Sequence, residues 1–325
     1  MPASTPDVTV IIVTYHCRDH VLACVDRTLA SVLDHTLEIV VVDNGSTDGT
    51  LEALAENHPE VRVVPMARNA GFARANNRGI AESAGRYVLI LNPDTLVEVG
   101  AIDVMVDWAD DHPWAGVVAP ALVYPDGRDQ LTARAFPTPA AAVFGRRSPL
   151  TRWFPANRWS TRFLAGRDHS GDEPFAIDWV SGACMLVPRA VIADVGAFDE
   201  DFFLYWEDAD WCRRMADAGY QVWCLPKARV VHDEGGTRDH RWPAPVVVHF
   251  HRGAYLYWRN HHAPQPWNPT RWLAALALTA RGAAIVARDR LHVSMPPRGQ
   301  STDGAPDGPD VPVHVPNPTP EQVML

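Results

Sequence analysis

Several common sequence signals are missing from this chain of 325 residues. It has no basic excess, since 29 lysines and arginines face 39 acidic residues, a formal net charge of −10. Non-specific binding to nucleic acid needs a basic face, so we expect no nucleic-acid partner. No apolar run reaches the roughly 18 residues of a membrane-spanning helix, so none is predicted. The N-terminus has no basic region followed by an apolar segment and a cleavage site, so we expect no signal peptide.

The five cysteines form neither a CxxC pair nor a zinc-ligand spacing. An odd, scattered set of this kind beside apolar residues indicates reduced core thiols in a cytoplasmic protein. Cys184 is interpreted as a core residue because nothing around it marks an activated thiol.

Three nucleotide and hydrolase signatures are also missing. The absence of GxxxxGK[ST] excludes a P-loop NTPase, and no GxSxG nucleophile elbow occurs. The first predicted strand is followed by Thr14-Tyr15-His16-Cys17 rather than GxGxxG, which disfavours a dinucleotide dehydrogenase. With these classes set aside, we expect the protein to bind a phosphate-bearing ligand through a metal ion.

Apolar β-branched runs alternate with helical patterns over the first part of the chain. This alternation predicts the α/β class, with a mostly parallel sheet flanked by helices. Strands are predicted at 8–13, 37–42, 61–65, 87–91 and 115–119, a sheet-like stretch at 177–188, and further strands at 220–225 and 228–231. Helices are predicted at 21–33, 51–57, 73–83, 101–110 and 191–195, and from 207 to about 219, with Asp19 capping the first and Gly219 following the last.

The remaining segments are less regular. Residues 131–172 are rich in proline, arginine and aromatics without a clear period, which is typical of a functional or mobile segment. Residues 270–292 form a predicted helical extension that either packs on the core or lies in a membrane interface. Residues 294–325 have almost no large apolar side chains, which predicts a disordered tail. We therefore expect a catalytic domain at 1–265, an amphipathic helix within 266–293 and a tail at 294–325.

Four acidic or imidazole positions follow predicted strands or begin helices after them. They are Asp43, Asp94, the pair Glu207-Asp208, and His232. The carboxyl ends of parallel strands share one edge of a sheet, so these groups are expected to converge there. The alternative interpretation is that they are ordinary turn and capping residues.

Six short motifs occur in order along the chain, several of them directly after predicted strands. The residues are Ile12-Val13-Thr14-Tyr15, Val42-Asp43-Asn44-Gly45-Ser46-Thr47-Asp48-Gly49-Thr50, Asn69-Ala70-Gly71-Phe72 with Asn77 and Gly79, Leu91-Asn92-Pro93-Asp94, Trp179-Val180-Ser181-Gly182-Ala183-Cys184, and Phe203-Leu204-Tyr205-Trp206-Glu207-Asp208-Ala209-Asp210.

With these motifs the chain resembles the inverting GT-A glycosyltransferases of family 2, from about residue 8 to residue 232. Within that family it is most similar to rhamnosyltransferases of actinobacterial cell-wall assembly, which act on polyprenyl-diphosphate-linked glycans. The resemblance implies a GT-A, Rossmann-like fold. It also implies a set of nucleotide-sugar-binding residues: Thr14, Tyr15, Asp43, Asn44, Gly71, Phe72, Asn77, Asn92, Trp179 and Gly182.

The resemblance also implies individual roles. Asp43 would accept a hydrogen bond from the pyrimidine imide of the donor. Asp94 and His232 would hold Mg²⁺ or Mn²⁺, with Asn92 standing where the family's motif has its first aspartate. Asp208 would be the general base that deprotonates the acceptor hydroxyl.

Glu207 would either raise the pKa of Asp208 or orient the acceptor, and the sequence leaves both open. Asp210 is interpreted as a charge at the helix N-terminus.

These roles imply an inverting enzyme that moves one sugar, with dTDP-L-rhamnose as the first choice of donor. The acceptor would be a lipid-linked or cell-envelope glycan, reached by a cytoplasmic protein lying peripherally on the inner face of the membrane. One alternative is a galactosyl- or glucosyltransferase that uses a UDP-sugar. A sugar-nucleotidyl transferase is another, although it would carry a glycine-rich basic loop after the first strand. The third alternative is a binding module without activity.

Overall fold

The computed structural model describes residues 5–130, 133–138, 171–233 and 243–293. The chain divides into two compact units, Met1–Gly236 and Thr237–Leu325. The predicted domain boundary at 265 stays a prediction. Most of the irregular segment predicted at 131–172, and the whole tail predicted from 294, lie outside the described residues.

The described strands of the first unit form one mixed sheet. Its order is β3-β2-β1-β4-β8-β6-β9-β5, with β7 paired to β9. The strands are β1 (Val8–Thr14), β2 (Leu37–Asp43), β3 (Arg62–Pro65), β4 (Tyr87–Leu91), β5 (Thr95–Val97), β6 (Ala115–Val123), β7 (Phe175–Ile177), β8 (Cys184–Pro188) and β9 (Gln221–His232).

Helices flank this sheet, as the alternating pattern predicts. The α/β class is therefore confirmed. The helices of the first unit are α1 (Arg18–Leu29), α2 (Thr50–Asn57), α3 (Phe72–Glu82), α4 (Ala101–Asp111), α5 (Arg189–Val195) and α6 (Glu207–Asp217).

The N-terminal half of the sheet is parallel because its strands are joined through helices. β1 pairs in parallel with β2 on one side and with β4 on the other. Every residue of β1 and β4 is buried, which explains their continuous apolar runs. On α3, Gly79 lets the helix approach the sheet, since a Cβ there would lie 2.4 Å from a methyl carbon of Ile11. The strand ends that carry the predicted site residues are therefore held in place by a buried apolar core.

After β4 the sheet includes antiparallel strand pairs, and two of these pairs lie near the end of β4. β8 runs antiparallel to β4, with Leu91 opposite Cys184. β5 pairs antiparallel with β9, with Thr95 opposite His232. Both pairings bring residues distant in sequence to the end of β4.

Several local predictions need correction. The structure contains β5, which the sequence reading missed because only three residues follow Pro93 and Asp94 before the next loop. The two strands predicted at 220–225 and 228–231 are one strand, β9, with an irregular register beside Pro120. Asp19 does not cap α1, which begins at Arg18. Gly219, with φ of 94°, does follow the end of α6 as predicted.

The second unit contains two described helices, α7 (Ala244–His261) and α8 (Pro269–Val293). The sequence predicted α8 but missed α7. Gly282 of α8 faces the ring of His251 on α7, so the two helices pack closely at that point. Among the described residues, no helix combines the length and the apolar content needed to cross a membrane.

Candidate active site

Strand register aligns the first two motifs. Thr14 and Asp43 are partners across β1 and β2, and the backbone N–H of Asn44 donates to the Thr14 carbonyl over 2.8 Å. Thr14 is buried and its hydroxyl contacts Cys17, while the ring of Tyr15 is partly exposed beside that edge. The ends of the first two strands thus form one continuous rim of the sheet.

Asp43 is buried, with one oxygen engaged and the other available. Its Oδ2 accepts a hydrogen bond from the backbone N–H of Ser46 over 3.0 Å. Its Oδ1 is buried and has no hydrogen-bond partner among the described residues. An unpaired buried carboxylate oxygen costs about 1–3 kcal/mol or more unless a ligand supplies a donor. Asp43 is therefore suited to accept an N–H group of a ligand.

Asn44 fixes the neighbouring loop. Its side-chain oxygen accepts from the N–H of Ala70, and its Nδ2 donates to Asn69 Oδ1 over 3.0 Å. Gly71 has φ of 90°, and a Cβ there would lie 2.5 Å from the carbonyl oxygen of Phe203. Only glycine fits this close approach. The Asn44 amide therefore acts first as a support for the loop that leads into α3.

Phe72 connects this loop to the other side of the site. Its N–H donates to the Phe203 carbonyl over 2.7 Å. Its ring lies near Gly182, where a Cβ would be 3.5 Å from a Phe72 ring carbon and 3.5 Å from Asp208 Cβ. Gly182 therefore lies next to both the Phe72 ring and Asp208.

Asp94 and His232 are in contact, as convergence predicts. His232 Nε2 lies 3.3 Å from Asp94 Oδ1. The antiparallel pairing of β5 with β9 produces this contact, and the N–H of Asp233 donates to the Asp94 carbonyl over 2.9 Å. Asp94 remains partly exposed, whereas His232 is buried.

Gln130 orients the His232 ring, a role that the sequence did not indicate. Its Nε2 donates to the His232 carbonyl, and its Oε1 lies 2.8 Å from His232 Nδ1. Because the amide nitrogen is committed to the carbonyl, Oε1 must accept, so Nδ1 carries the proton. The lone pair of neutral His232 is then on Nε2, facing Asp94. Two lone pairs face each other there unless a cation or a proton lies between them.

This donor pair fits a divalent cation. Two ligand atoms at about 2.1 Å from one ion and at a right angle are about 3 Å apart, close to the observed separation. Among the described residues no cluster of three or more histidine, cysteine, aspartate or glutamate side chains could hold a metal. A site with two protein ligands suits Mg²⁺ or Mn²⁺ completed by substrate phosphates. Asn92, two residues before Asp94, is partly exposed at the same strand end.

The N-terminus of α6 begins with strained backbone. Tyr205 and Trp206 have φ of 69° and 76°, a region that side chains other than glycine rarely occupy. Each such residue costs on the order of 1–3 kcal/mol and is typical of functional sites. Glu207 and Asp208 directly follow these two residues and lie in the first turn of α6, where the helix dipole favours negative charge.

Glu207 and Asp208 have different surroundings. Burial, and then the charge of Asp208, raise the pKa of Glu207 well above its ordinary value. One oxygen of Glu207 is buried and has no hydrogen-bond partner among the described residues. Both observations favour the neutral form of Glu207 over the neutral form of Asp208.

Asp208 is partly exposed and its charge is stabilised. Its Oδ2 accepts from the N–H of Gly182 over 3.0 Å, and its Oδ1 accepts from the N–H of Ala209 over 2.8 Å. Desolvation raises the pKa of Asp208, and these hydrogen bonds and the charge of Arg134 partly offset that rise. A carboxylate with a raised pKa that still ionises is suited to a general base.

Asp208 is linked to the strand end that carries the metal ligands. Gly182 precedes Ala183, whose carbonyl accepts from the N–H of Asn92 over 2.9 Å. The structure thus connects Asp208 through two short contacts to the Asn92–Asp94 turn.

Two predicted nucleotide contacts have other partners in the protein. Both polar atoms of the Asn77 amide bind the backbone of Phe198. Trp179 is buried, and its indole N–H donates to the Ala135 carbonyl over 2.9 Å. Their contacts with a nucleotide stay predictions.

Arg134 is a second residue that the sequence did not indicate. It lies in the irregular stretch after Gln130, exchanges backbone hydrogen bonds with Trp179 and places its guanidinium 5.2 Å from the centre of that ring. No periodic pattern marks it. Its placement near Asp208 depends on the fold.

Asp210 and the cysteines have structural surroundings. Asp210 Oδ2 pairs with Arg214 over 2.9 Å, and Arg214 also binds backbone carbonyls before α6. Asp210 thus lies in the first turn of α6, as predicted, and there it also forms a partly buried ion pair. All five cysteines are free, and burial raises the pKa of the Cys184 thiol, in agreement with a core role.

Comparison with known proteins identifies the family. Residues 9–186 match the family model of Glycosyl transferase family 2. A relative in Mycobacterium tuberculosis (strain ATCC 25618 / H37Rv), an N-acetylglucosaminyl-diphospho-decaprenol L-rhamnosyltransferase, is 32% identical over 291 residues, which cover 85% of this chain and 92% of the relative. A dTDP-rhamnosyl transferase of Shigella flexneri is 23% identical over 78% of this chain and 80% of its own length.

A solved structure shows the same fold. A mannosyltransferase from Pyrobaculum calidifontis, in complex with GDP-Man and Mn²⁺, matches with a TM-score of 0.52 at 21% identity, covering 90% of this chain and 81% of that one. The fold is that of the GT-A glycosyltransferases. The chain belongs to Glycosyl transferase family 2 and is a hexosyltransferase.

Proposed function

We propose that this protein transfers one L-rhamnosyl group from dTDP-L-rhamnose, with inversion, to a polyprenyl-diphosphate-linked glycan. The proposed reaction rests mainly on the position of Asp208. Its carboxylate lies beside Gly182 and is connected through Ala183 to the Asn92 end of β4. A base on one side and a diphosphate-binding edge on the other are what a single displacement needs.

The choice of sugar and acceptor is supported by relatives. The 32% identical mycobacterial protein is a rhamnosyltransferase acting on a decaprenol-linked substrate, and the match covers most of both chains. The Shigella relative is a dTDP-rhamnosyl transferase. Two relatives with the same transferred sugar favour rhamnose over galactose or glucose.

Asp43 supports a pyrimidine nucleotide. Its buried, unpaired Oδ1 matches the imide N–H that thymine and uracil share. This contact does not separate dTDP from UDP donors, so a UDP-hexose remains the alternative donor. Family membership sets the sugar-nucleotidyl transferase aside.

The displacement uses one base. The acceptor oxygen attacks the anomeric carbon, the bond from that carbon to the diphosphate oxygen breaks, and the acceptor proton passes to Asp208. The products are dTDP and the extended acceptor with inverted configuration. The raised pKa of Glu207 favours its protonated form, which does not compete as the base. Because protonated Glu207 carries no charge, the acceptor hydroxyl would meet a single carboxylate, that of Asp208.

Asp94 and His232 would hold the divalent cation. When bound, the cation would neutralise charge that develops on the departing diphosphate. Gln130 holds His232 with Nε2 towards Asp94, and β5 and β9 hold both residues at the end of the sheet.

A donor screen tests the proposal. Thermal stabilisation with Mn²⁺ is measured for dTDP-rhamnose, dTDP-glucose, UDP-galactose and UDP-glucose, followed by transfer to a short-chain polyprenyl-diphosphate N-acetylglucosamine. We expect transfer from dTDP-rhamnose alone. Transfer from a UDP-hexose, with none from dTDP-rhamnose, would establish the alternative.

A further inference from the structure

The second unit presents an apolar surface that its own packing does not cover. On α8, Trp272, Leu273 and Leu276 are 75%, 65% and 70% exposed, and Trp267 just before the helix is 81% exposed. Exposed alanines extend the same face towards the C-terminal end of the helix. They are Ala277, Ala280, Ala283, Ala284 and Ala287.

The opposite face of α8 accounts for its packing on α7. Gly282 faces His251, and Leu278, Ile285 and Val286 are only partly exposed. The helix is thus apolar on two sides, one of which is already used within the unit. A contiguous exposed apolar face on a helix marks a binding surface.

Charge indicates what this surface binds. Between residues 243 and 293 the chain has six arginines and one aspartate, a net charge of +5, although the whole chain carries −10. Arg281 and Arg288 are exposed on the flank of the apolar face. A basic helix with tryptophan and leucine on its apolar side fits the interface of an anionic bilayer.

An open pocket at the turn between the helices is lined by two arginines. It has a volume of about 410 Å³ and is lined by Arg259, Asn260, Pro264 and Arg271. Two guanidinium groups that line one pocket are suited to the oxygens of a phosphate group. Arg271 of this pocket is adjacent in sequence to the exposed Trp272 on α8.

We propose that the helical hairpin α7–α8 docks on an anionic lipid surface, with Trp267, Trp272, Leu273 and Leu276 in the interface and a lipid phosphate in the Arg259–Arg271 pocket. The proposal deepens the proposed function, on which its biological purpose rests, because it supplies a way to meet a lipid-linked acceptor. The physical binding itself does not require that the transferred sugar be rhamnose.

Vesicle co-sedimentation of the full chain tests this docking. We expect binding to vesicles of phosphatidylcholine with phosphatidylglycerol, and none to phosphatidylcholine alone. The double change Trp272→Ser/Leu276→Ser should lower the partition coefficient about tenfold or more. Arg259→Gln/Arg271→Gln should lower it roughly 30-fold. All four side chains lie on the surface or line the open pocket, so the fold should persist.

Matched controls use exposed residues of the first unit. Leu33→Ser/Trp114→Ser removes two exposed apolar groups, and Arg78→Gln/Arg128→Gln removes two charges. Both controls should bind the vesicles like the unchanged protein. If control and hairpin variants lose binding equally, net charge and general hydrophobicity explain it and the docking surface is wrong.

Two further arms separate the possible outcomes. Inorganic phosphate added at constant ionic strength should not release the protein; release would make the pocket a site for free phosphate and overturn the lipid assignment. Donor-induced thermal stabilisation and transfer to a short-chain acceptor are measured on the same samples. Transfer without vesicle binding would refute the hairpin proposal alone, whereas vesicle binding without any transfer would refute the proposed function alone.

Discussion

His232 Nε2 lies 3.3 Å from Asp94 Oδ1, and Gln130 holds the opposite nitrogen of the same imidazole. His232 is the last residue of β9, and Asp94 directly precedes β5, which is distant in sequence from β9 but pairs with it in the sheet. This pair is the basis for the metal-binding predictions.

Replacing Asp94, one of the two proposed metal ligands, should weaken the binding of Mn²⁺. For Asp94→Asn we expect Mn²⁺ affinity, measured by electron paramagnetic resonance with dTDP present, to fall at least about tenfold, because a neutral amide is a weak ligand for a hard cation. Asp126→Asn, at an exposed carboxylate paired with Arg128, is the control. Full activity of Asp94→Asn in chelator would contradict the metal assignment.

Gln130 should affect metal binding without touching the metal. Gln130→Leu leaves the His232 ring free to rotate and to change tautomer, and the loss of such a partner typically costs 10–100-fold in metal affinity. We expect a fall of about that size in Mn²⁺ affinity. Nitrogen-15 NMR of the imidazole should show the proton on Nδ1 in the unchanged protein and a mixture in the variant.

Gln130→Glu is the discriminating variant for this residue. It keeps an acceptor for His232 Nδ1 but replaces the donor to the His232 carbonyl by an oxygen. We expect the Nδ1–H tautomer to persist while thermal stability falls. Unchanged Mn²⁺ affinity in Gln130→Leu would show that Gln130 does not position the ligand.

Asp43 should control donor binding. In Asp43→Asn the buried group loses its charge, and a hydrogen bond to a charged group contributes about 1.5–3 kcal/mol. We expect the Kd for dTDP, measured calorimetrically, to rise by roughly 10- to 150-fold. Asp48→Asn, in the same loop but bound to Thr50, should change it little. Equal affinity of Asp43→Asn and the unchanged protein would rule out base recognition by Asp43.

Glu207 should make stability depend on pH. Burial raises its pKa in the folded protein above the ordinary value of 4.5, so the folded state holds a proton that the unfolded chain releases. Stability is therefore full below the unfolded pKa and falls as pH rises towards the folded pKa, by up to about 1.4 kcal/mol per pH unit. When the pH is raised from about 5 to about 8, we expect the Tm of Glu207→Gln to fall less than the Tm of the unchanged protein.

An exposed glutamate gives the control for this pH series. Glu56→Gln, on the surface of α2, should follow the unchanged protein at every pH. If Glu207→Gln shows the same pH dependence as the unchanged protein, Glu207 is ionised in the folded state and its assignment as neutral is wrong.

Much of this architecture follows from local sequence. The buried run of β4 ends at Pro93, which cannot continue a central strand, so the position of Asp94 at the sheet edge was predictable. The α/β class followed from the alternation of apolar runs and helical periods. Asp208 could be placed at a helix start because three acidic residues precede an amphipathic pattern.

Other features depend on long-range contacts that no local pattern encodes. Gln130 and Arg134 lie in a stretch without periodicity, and only the fold brings them to His232 and Asp208. The antiparallel direction of β8 and β5 required knowledge of the topology. Helix α7 mixes a proline, histidines and aromatics, which hide its 3.6-residue period. The sequence thus predicts the strand ends better than the residues that support them.

The central claim is that Asp208 deprotonates the acceptor, and Asp208→Asn tests it most directly. The variant keeps the size of the side chain and can still accept from Gly182, but it cannot take a proton. Single-turnover transfer from dTDP-rhamnose should fall by about 10²- to 10⁴-fold while the Kd for dTDP stays unchanged. Transfer at the unchanged rate, with donor binding intact, would contradict the assignment of Asp208 as the base.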